Sequence, residues 1–287
     1  MLADVSSVAV RALSFIAMFQ AAGMAVFLAL FGRELPQLAL PLRRMGRVAA
    51  VLAAALVLIH LLLEAARMSG ELSGVLDASL QGMVMQSSAS IAAGLRLGGL
   101  VLLAIGFQQR LMPAGSVLGL MGAALVMLGF TAVGHTTLQS PRWIPAALLF
   151  IHLAVVAFWF GALLPLHLVN SREPPAVAGR IVERFSKVAI ALVPGLLVAG
   201  ALLAIELLPT LEALNSAYGR LLLLKVSGFA VLMGLAAVNK WRLGPALLAA
   251  DPRAARAFSR SVLAEYVLIA AVLCVTAVLT TFYSPED

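Results

Sequence analysis

The chain is expected to be all-α: a polytopic membrane helix bundle of about eight transmembrane helices, forming one integral domain over residues 1–287. Three observations predict this. Hydrophobic residues make up 62% of the chain and charged residues only 11%, against about 45–50% and about 25% in a soluble domain. The mean hydropathy is +1.04. The apolar excess also runs along the whole length in blocks of membrane-spanning size. No polar stretch is long enough to fold in water by itself. A large extramembrane catalytic or nucleic-acid-binding module is therefore excluded.

A helix needs about 20 apolar residues to cross the hydrocarbon core. Eight segments qualify: 5–31, 46–67, 90–109, 115–136, 144–169, 187–208, 219–241 and 261–283. Their borders carry Pro36, Pro41, Pro113, Pro141, Pro174, Pro175, Pro209 and Pro252, where a helix ends at little cost. Pro165 and Pro194 fall inside spans and are expected to kink them. The first segment is too long for a signal-peptide core and lacks a small-residue cleavage site, so it is expected to remain as a span. Gly94, Gly98, Gly99, Gly195 and Gly200 suit close helix approach. The loop at 69–89 carries Leu72, Val75, Leu76 and Leu80 at helical spacing, as in a segment lying flat on the membrane.

Loop charge sets the orientation. The net charge is +7. Fourteen of the 20 basic residues fall in or beside the loops after the first, third, fifth and seventh spans. The positive-inside rule makes that side cytoplasmic and sends both termini to the periplasmic face. The excess charge thus reads as an orientation device, with no nucleic-acid partner.

Ionisable residues within spans are costly and are functional by default. His60, His135 and His152 all fall in the outer half, while His167 lies alone at the opposite end of its span. Neutral imidazole is the commonest metal ligand. Met68, Met83 and Met85 sit on the outer loop, and thioether sulfur selects Cu(I). These six residues are the candidate copper ligands. Met127 precedes His135 by two turns. Glu64 shares a helix face with His60 at i, i+4 and is a candidate partner or proton carrier. Lys225 and Glu206 are candidates for an intramembrane ion pair, with snorkelling of Lys225 as the alternative. Glu265 is expected to latch onto Lys187, Lys240 or Arg260. The single cysteine, Cys274, is expected in the core; it forms no CxxC or zinc pattern. No nucleophile–base set and no GxxxxGK[ST] loop is present, so no enzymatic activity and no ATP-driven pumping is expected.

Several motifs then fall in one order. Gly134-His135-Thr136 is followed by His152-Leu-Ala-Val-Val-Ala-Phe-Trp159-Phe-Gly161 and Pro165. Arg184-Phe185-Ser186, Tyr218-Gly219-Arg220 with Lys225, Asn239-Lys240 and Arg260-Ser261 with Glu265 follow. This pattern resembles the copper resistance protein D (CopD) family, most closely over residues 130–287 and more loosely before them. The resemblance implies an eight-helix bacterial inner-membrane protein that moves copper from periplasm to cytoplasm. It places His135, His152 and Trp159 at motif positions. It also implies a periplasmic carrier, CopC-like, as a separate chain, since no fused β domain is evident. Two other readings stand beside a permease. One is a haem-binding membrane oxidoreductase acting on Cu(II), with His60 and His152 as axial ligands. The other is a copper sensor or scaffold that transports nothing.

Overall fold

The computed structural model describes residues 2–108, 114–133, 141, 143–207 and 212–283. Among the described residues, ten α-helices follow one another: α1 (Leu2–Phe31), α2 (Ala39–Ser69), α3 (Ala78–Gln86), α4 (Ser88–Gly106), α5 (Ala114–Thr131), α6 (Trp143–Arg172), α7 (Pro175–Leu207), α8 (Ala217–Val238), α9 (Gly244–Leu248) and α10 (Pro252–Phe282). A π turn at Asn239–Leu243 joins α8 to α9 in one continuous rod. Eight helical rods are long and apolar enough to cross a membrane, as the composition predicts.

The helices run past the predicted spans mainly at one end of the bundle. Helix α2 begins at Ala39 rather than 46, α7 at Pro175 rather than 187, and α10 at Pro252 rather than 261. The added turns carry Arg43, Arg44, Arg180, Arg184, Arg253, Arg256 and Arg260. Hydropathy falls where these charges begin, but backbone hydrogen bonding continues into the polar zone. Pro165 and Pro194 both lie within uninterrupted helices.

Helix α1 is the axis of the bundle. It packs against α2, α4, α5, α6 and α10. Its Met18, Phe19, Met24 and Phe27 are fully buried. The closest approach is between α1 and α6. A Cβ on Gly23 would overlap the carbonyl oxygen of Ala157, and one on Gly161 would lie 2.5 Å from the Gly23 Cα. Such contact lets dispersion act between backbones where no hydrophobic drive favours helix association. Gln20, one turn away, donates from Nε2 to the Gly161 carbonyl at 3.1 Å. Helices α4 and α5 meet similarly, with a Gly99 Cβ only 2.6 Å from the Gly122 carbonyl oxygen. Of the other expected small residues, Gly94 and Gly195 face open space and Gly200 faces His152.

Helices α7 and α8 are peripheral. Only 11% and 6% of their most apolar windows is buried in the protein, against 72% for α1. Helix α7 leans on α6 and α9, and α8 on α10. At the basic end, Glu34 pairs with Arg184 of α7. The buried Glu173 carboxylate accepts from the Gln37 and Leu38 backbone N–H groups at 3.2 and 3.0 Å, capping the start of α2. Ser259 bonds the His167 Nδ1 at 2.7 Å, which gives that histidine a structural role. Cys274, expected in the core, is exposed on α10.

The loop after α2 folds as a 3-10 turn, Leu72–Leu76, and the short helix α3. Leu76 is 89% exposed while Leu80 packs on the core. This fits a segment resting on the interface. Asp77 caps α3. Its Oδ1 accepts from the Ser79 hydroxyl at 2.6 Å and from the Ser79 and Leu80 N–H groups. These bonds, the hydroxyl first, hold the Asp77 carboxyl below its ordinary value.

Two outcomes follow from this packing. Gly23→Ala lowers stability by about 1–3 kcal/mol, as overpacking does, and detergent-solubilised protein melts earlier. Gly234→Ala, where a Cβ meets nothing within 4 Å, leaves the melting point unchanged or raises it. In the loop, the Asp77 cap is fully present above the unfolded aspartate value. It is lost as pH falls through the lowered folded value. Hydrogen exchange of the α3 amides therefore quickens in acid, and in Asp77→Ala it is fast at every pH.

Candidate functional site

The end of the bundle that carries both termini holds a polar cluster inside apolar helices. Arg11 of α1 donates from Nε to His60 Nε2 of α2 at 2.9 Å. One turn on, Glu64 Oε1 lies 3.5 Å from His60 Nδ1 and 3.5 Å from Arg11 Nη2. Arg67 reaches Glu64 Oε2 at 3.2 Å and Asp4 at 3.9 Å. Arg11 also donates to the Thr280 carbonyl at 2.8 Å and the Thr281 hydroxyl at 3.0 Å, and Arg67 to the Thr281 carbonyl at 3.2 Å. The cluster ties α1, α2 and the last turn of α10 together. It exists because α1 and α2 pack along their length and bring i, i+4 positions of α2 against Arg11.

This geometry redefines His60. Its Nε2 lone pair is filled by a guanidinium, so Nδ1 carries the ring proton and points toward Glu64. A metal reaches Nε2 only by displacing Arg11. Glu64 is a partner of two arginines and of His60. Arg96 of α4 adds a further positive charge close by. Its guanidinium lies over the Phe130 ring at 4.2 Å, and its Nε is buried without a hydrogen-bond partner. Arg96 lies about two turns into α4.

His152 has different neighbours. It sits in the first third of α6, against Gly200 of α7, whose Cβ would lie 3.3 Å from the ring Nδ1. The Leu196 carbonyl and the Lys225 ammonium are its near polar surroundings. The Nδ1 atom is buried with no hydrogen-bond partner among the described residues. Either tautomer leaves that nitrogen unmatched, as a donor or as an acceptor. Buried unmatched polar atoms are uncommon and call for an explanation. Helices α2 and α6 share no extended packing among the described residues. His135 lies outside the described residues. Among the described residues, no group of three His, Cys, Asp or Glu side chains is close enough to hold a metal.

The remaining candidates separate. Met68, Met83 and Met85 are each about half exposed at the terminal end. Met83 and Met85 are i and i+2 on α3, so they project to opposite faces of that helix. Met127 is buried in the core. Lys225 lines an apolar cavity of about 150 Å³ between α8 and α10, with Leu224, Gly228, Leu268, Ala271, Val272 and Val275. Glu206 is exposed, and no ion pair joins it to Lys225. The separation follows from the missing α7–α8 packing.

A second buried polar cluster was only half legible. Trp159 Nε1 of α6 donates to Glu265 Oε2 of α10 at 3.1 Å, and Asn239 Nδ2 of the π turn donates to Oε1 at 2.5 Å. Glu265 is only 2% exposed. The expected latch to Lys187, Lys240 or Arg260 does not form; Lys187 pairs with Glu183 at 2.7 Å instead. All three members had been singled out as motif residues, but nothing in their spacing showed that they meet.

Comparison with known proteins places the chain. The model of the copper resistance protein D family matches residues 179–279, and the model of the copper resistance protein D-like N-terminal domain matches residues 1–141. Copper transport protein CutJ of Bacillus subtilis is 27% identical over 56% of this chain, a stretch that spans only 30% of that longer relative. Copper resistance protein D of Pseudomonas syringae pv. tomato is 30% identical over 99% of this chain and 98% of its own length. No solved structure matches. From end to end, then, this eight-span chain belongs to the copper resistance protein D family.

Proposed function

We propose that the protein moves copper across the bacterial inner membrane, from periplasm to cytoplasm, with the terminal end of the bundle facing the periplasm. The observation that carries this reading is the unmatched Nδ1 of His152, a metal-ligating atom held in an apolar site beside a glycine that leaves it room. His152 acts with His135, the other histidine at a motif position. Met68, Met83 and Met85 form an exposed soft-donor rim that receives copper, delivered by a separate CopC-like carrier. Opposite-facing Met83 and Met85 suit successive contacts better than one shared site. His60, with Glu64, Arg11 and Arg67, holds the mouth of the bundle together and takes no copper in this state.

Lys225 gives the site its release. A cation near His152 weakens binding of a second cation. Transport needs binding tight enough to load and weak enough to let go. Trp159 holds α6 against α10 below the site. Glu206, exposed at the end of α7, contributes a negative charge to the outer mouth.

Copper content and vesicle uptake test this. His152→Ala and His135→Ala lose bound copper and uptake together; wild-type values in both would end the proposal. His60→Ala keeps its copper but melts earlier, by about 1–3 kcal/mol of stability for the orphaned Arg11 and Glu64. Copper loss in His60→Ala without a stability change would return that residue to the ligand set. Lys225→Met binds copper several-fold tighter and releases it more slowly.

A further inference from the structure

We propose that Glu265 is an internal proton-binding site, with Asn239 and the π turn of α8 as the device that reads its charge. The site lies where α6, α8 and α10 meet. Its carboxylate accepts from two neutral donors, Trp159 Nε1 at 3.1 Å and Asn239 Nδ2 at 2.5 Å. No cation pairs with it among the described residues. Buried carboxylates inside a membrane otherwise occur paired with basic groups. The charged and titratable groups on the surrounding helices are committed elsewhere or lie apart. On α6, His167 is bonded to Ser259. On α7, Lys187 is paired with Glu183. Lys240, next to Asn239, has Glu183 as its electrostatic partner. On α10, Arg260 is exposed, and the Tyr266 ring stacks on Phe160 at 4.6 Å. Helix α1 carries no titratable side chain between Arg11 and its last residue. No fixed charge therefore holds Glu265 in either protonation state.

Asn239 fits both states. Its Oδ1 is buried and unpartnered while Nδ2 donates to the carboxylate. When one proton from water adds to Oε1, that oxygen becomes a donor. A half-turn of the amide then brings Oδ1 to accept from it and leaves Nδ2 unpaired. One amide pole is unmatched in each state, so the exchange loses no hydrogen bond. Asn239 also opens the π turn, in which Gly244 N–H donates to the Asn239 carbonyl five residues back. Such turns recur at functional sites because the ladder there is easily rearranged. Helix α8 is the least buried of the spanning rods, so a change at Asn239 moves it against little resistance. Linking this proton to copper movement rests on the transport reading above; the proton site itself does not.

Infrared difference spectroscopy of the wild-type protein, titrated without copper from mildly acid to mildly alkaline pH, tests the site. A carboxyl C=O band that appears on acidification, vanishes in Glu265→Gln and shifts in Trp159→Phe supports it. The Trp159→Phe shift alone carries the assignment if Glu265→Gln does not fold. A spectrum with no titrating carboxyl band, or a band unchanged in both variants, overturns it. Vesicle copper uptake then separates the two readings. Loss of its pH dependence in Glu265→Gln ties the proton to transport. A titrating band with no copper uptake in wild-type vesicles keeps the proton site and removes the transport reading.

Discussion

The contact of backbone with backbone at Gly23 and Gly161 is the constraint on which the rest of the bundle depends. In apolar surroundings helices gain nothing by hiding greasy side chains from one another, so they associate where they can come closest. That approach sets the rotation of α6 about its own axis. Phe160 is then turned to Tyr266 and Trp159 to Glu265. One turn along α1, Gln20 meets the Gly161 carbonyl. The orientation of His152 toward α7 follows from the same rotation, since it lies about two turns from Trp159 on one helix.

The two ends of the bundle are fastened differently from its flank. At the terminal end, the arginines of α1 and α2 grip the closing turn of α10. At the basic end, Glu173 and Glu34 hold the α2 and α7 entries. Between these fastenings α7 rests on α6 and α9, and α8 on α10. A rigid core of α1, α2, α4, α5, α6 and α10 with two lightly held helices is a natural division of labour for a carrier. The residues proposed to handle copper and proton sit at the borders between these parts: His152 at α6–α7, Lys225 and Asn239 at α8–α10.

Much of the architecture was legible in the sequence because hydropathy and helix length are local properties. All eight spans were found, and the largest errors share one cause: charge ends a hydropathy window but not a hydrogen-bond ladder, so α2, α7 and α10 were read short at the basic end. The candidate site was less legible because contacts between helices depend on rotation and tilt. Depth alone made His60 and His152 look equivalent. Only the packing shows that Arg11 occupies a ring nitrogen of one, while Nδ1 of the other meets no partner among the described residues. Lys225 and Glu206 were paired by depth in the same way, yet their helices do not pack together. Glu265 was placed beside the nearest basic residues in the chain, whereas its partners are neutral groups on two other helices. The family resemblance marked Trp159, Asn239 and Glu265 without saying that they touch.

The π turn at Asn239–Leu243 also has a meaning for how the chain tolerates change in length. A turn closed across five residues holds one residue more than an ordinary helical turn, so it behaves as a single-residue insertion absorbed within a span. Deleting one residue here would restore a regular helical turn and leave the residues beyond it close to their present orientation, because the wide turn takes up the extra residue locally. Only the turn itself, with Lys240, the exposed Trp241 and Arg242, would be redirected. Relatives whose chains lack that extra residue should therefore keep the same face of the rod beyond their seventh crossing, with the change confined to this one turn.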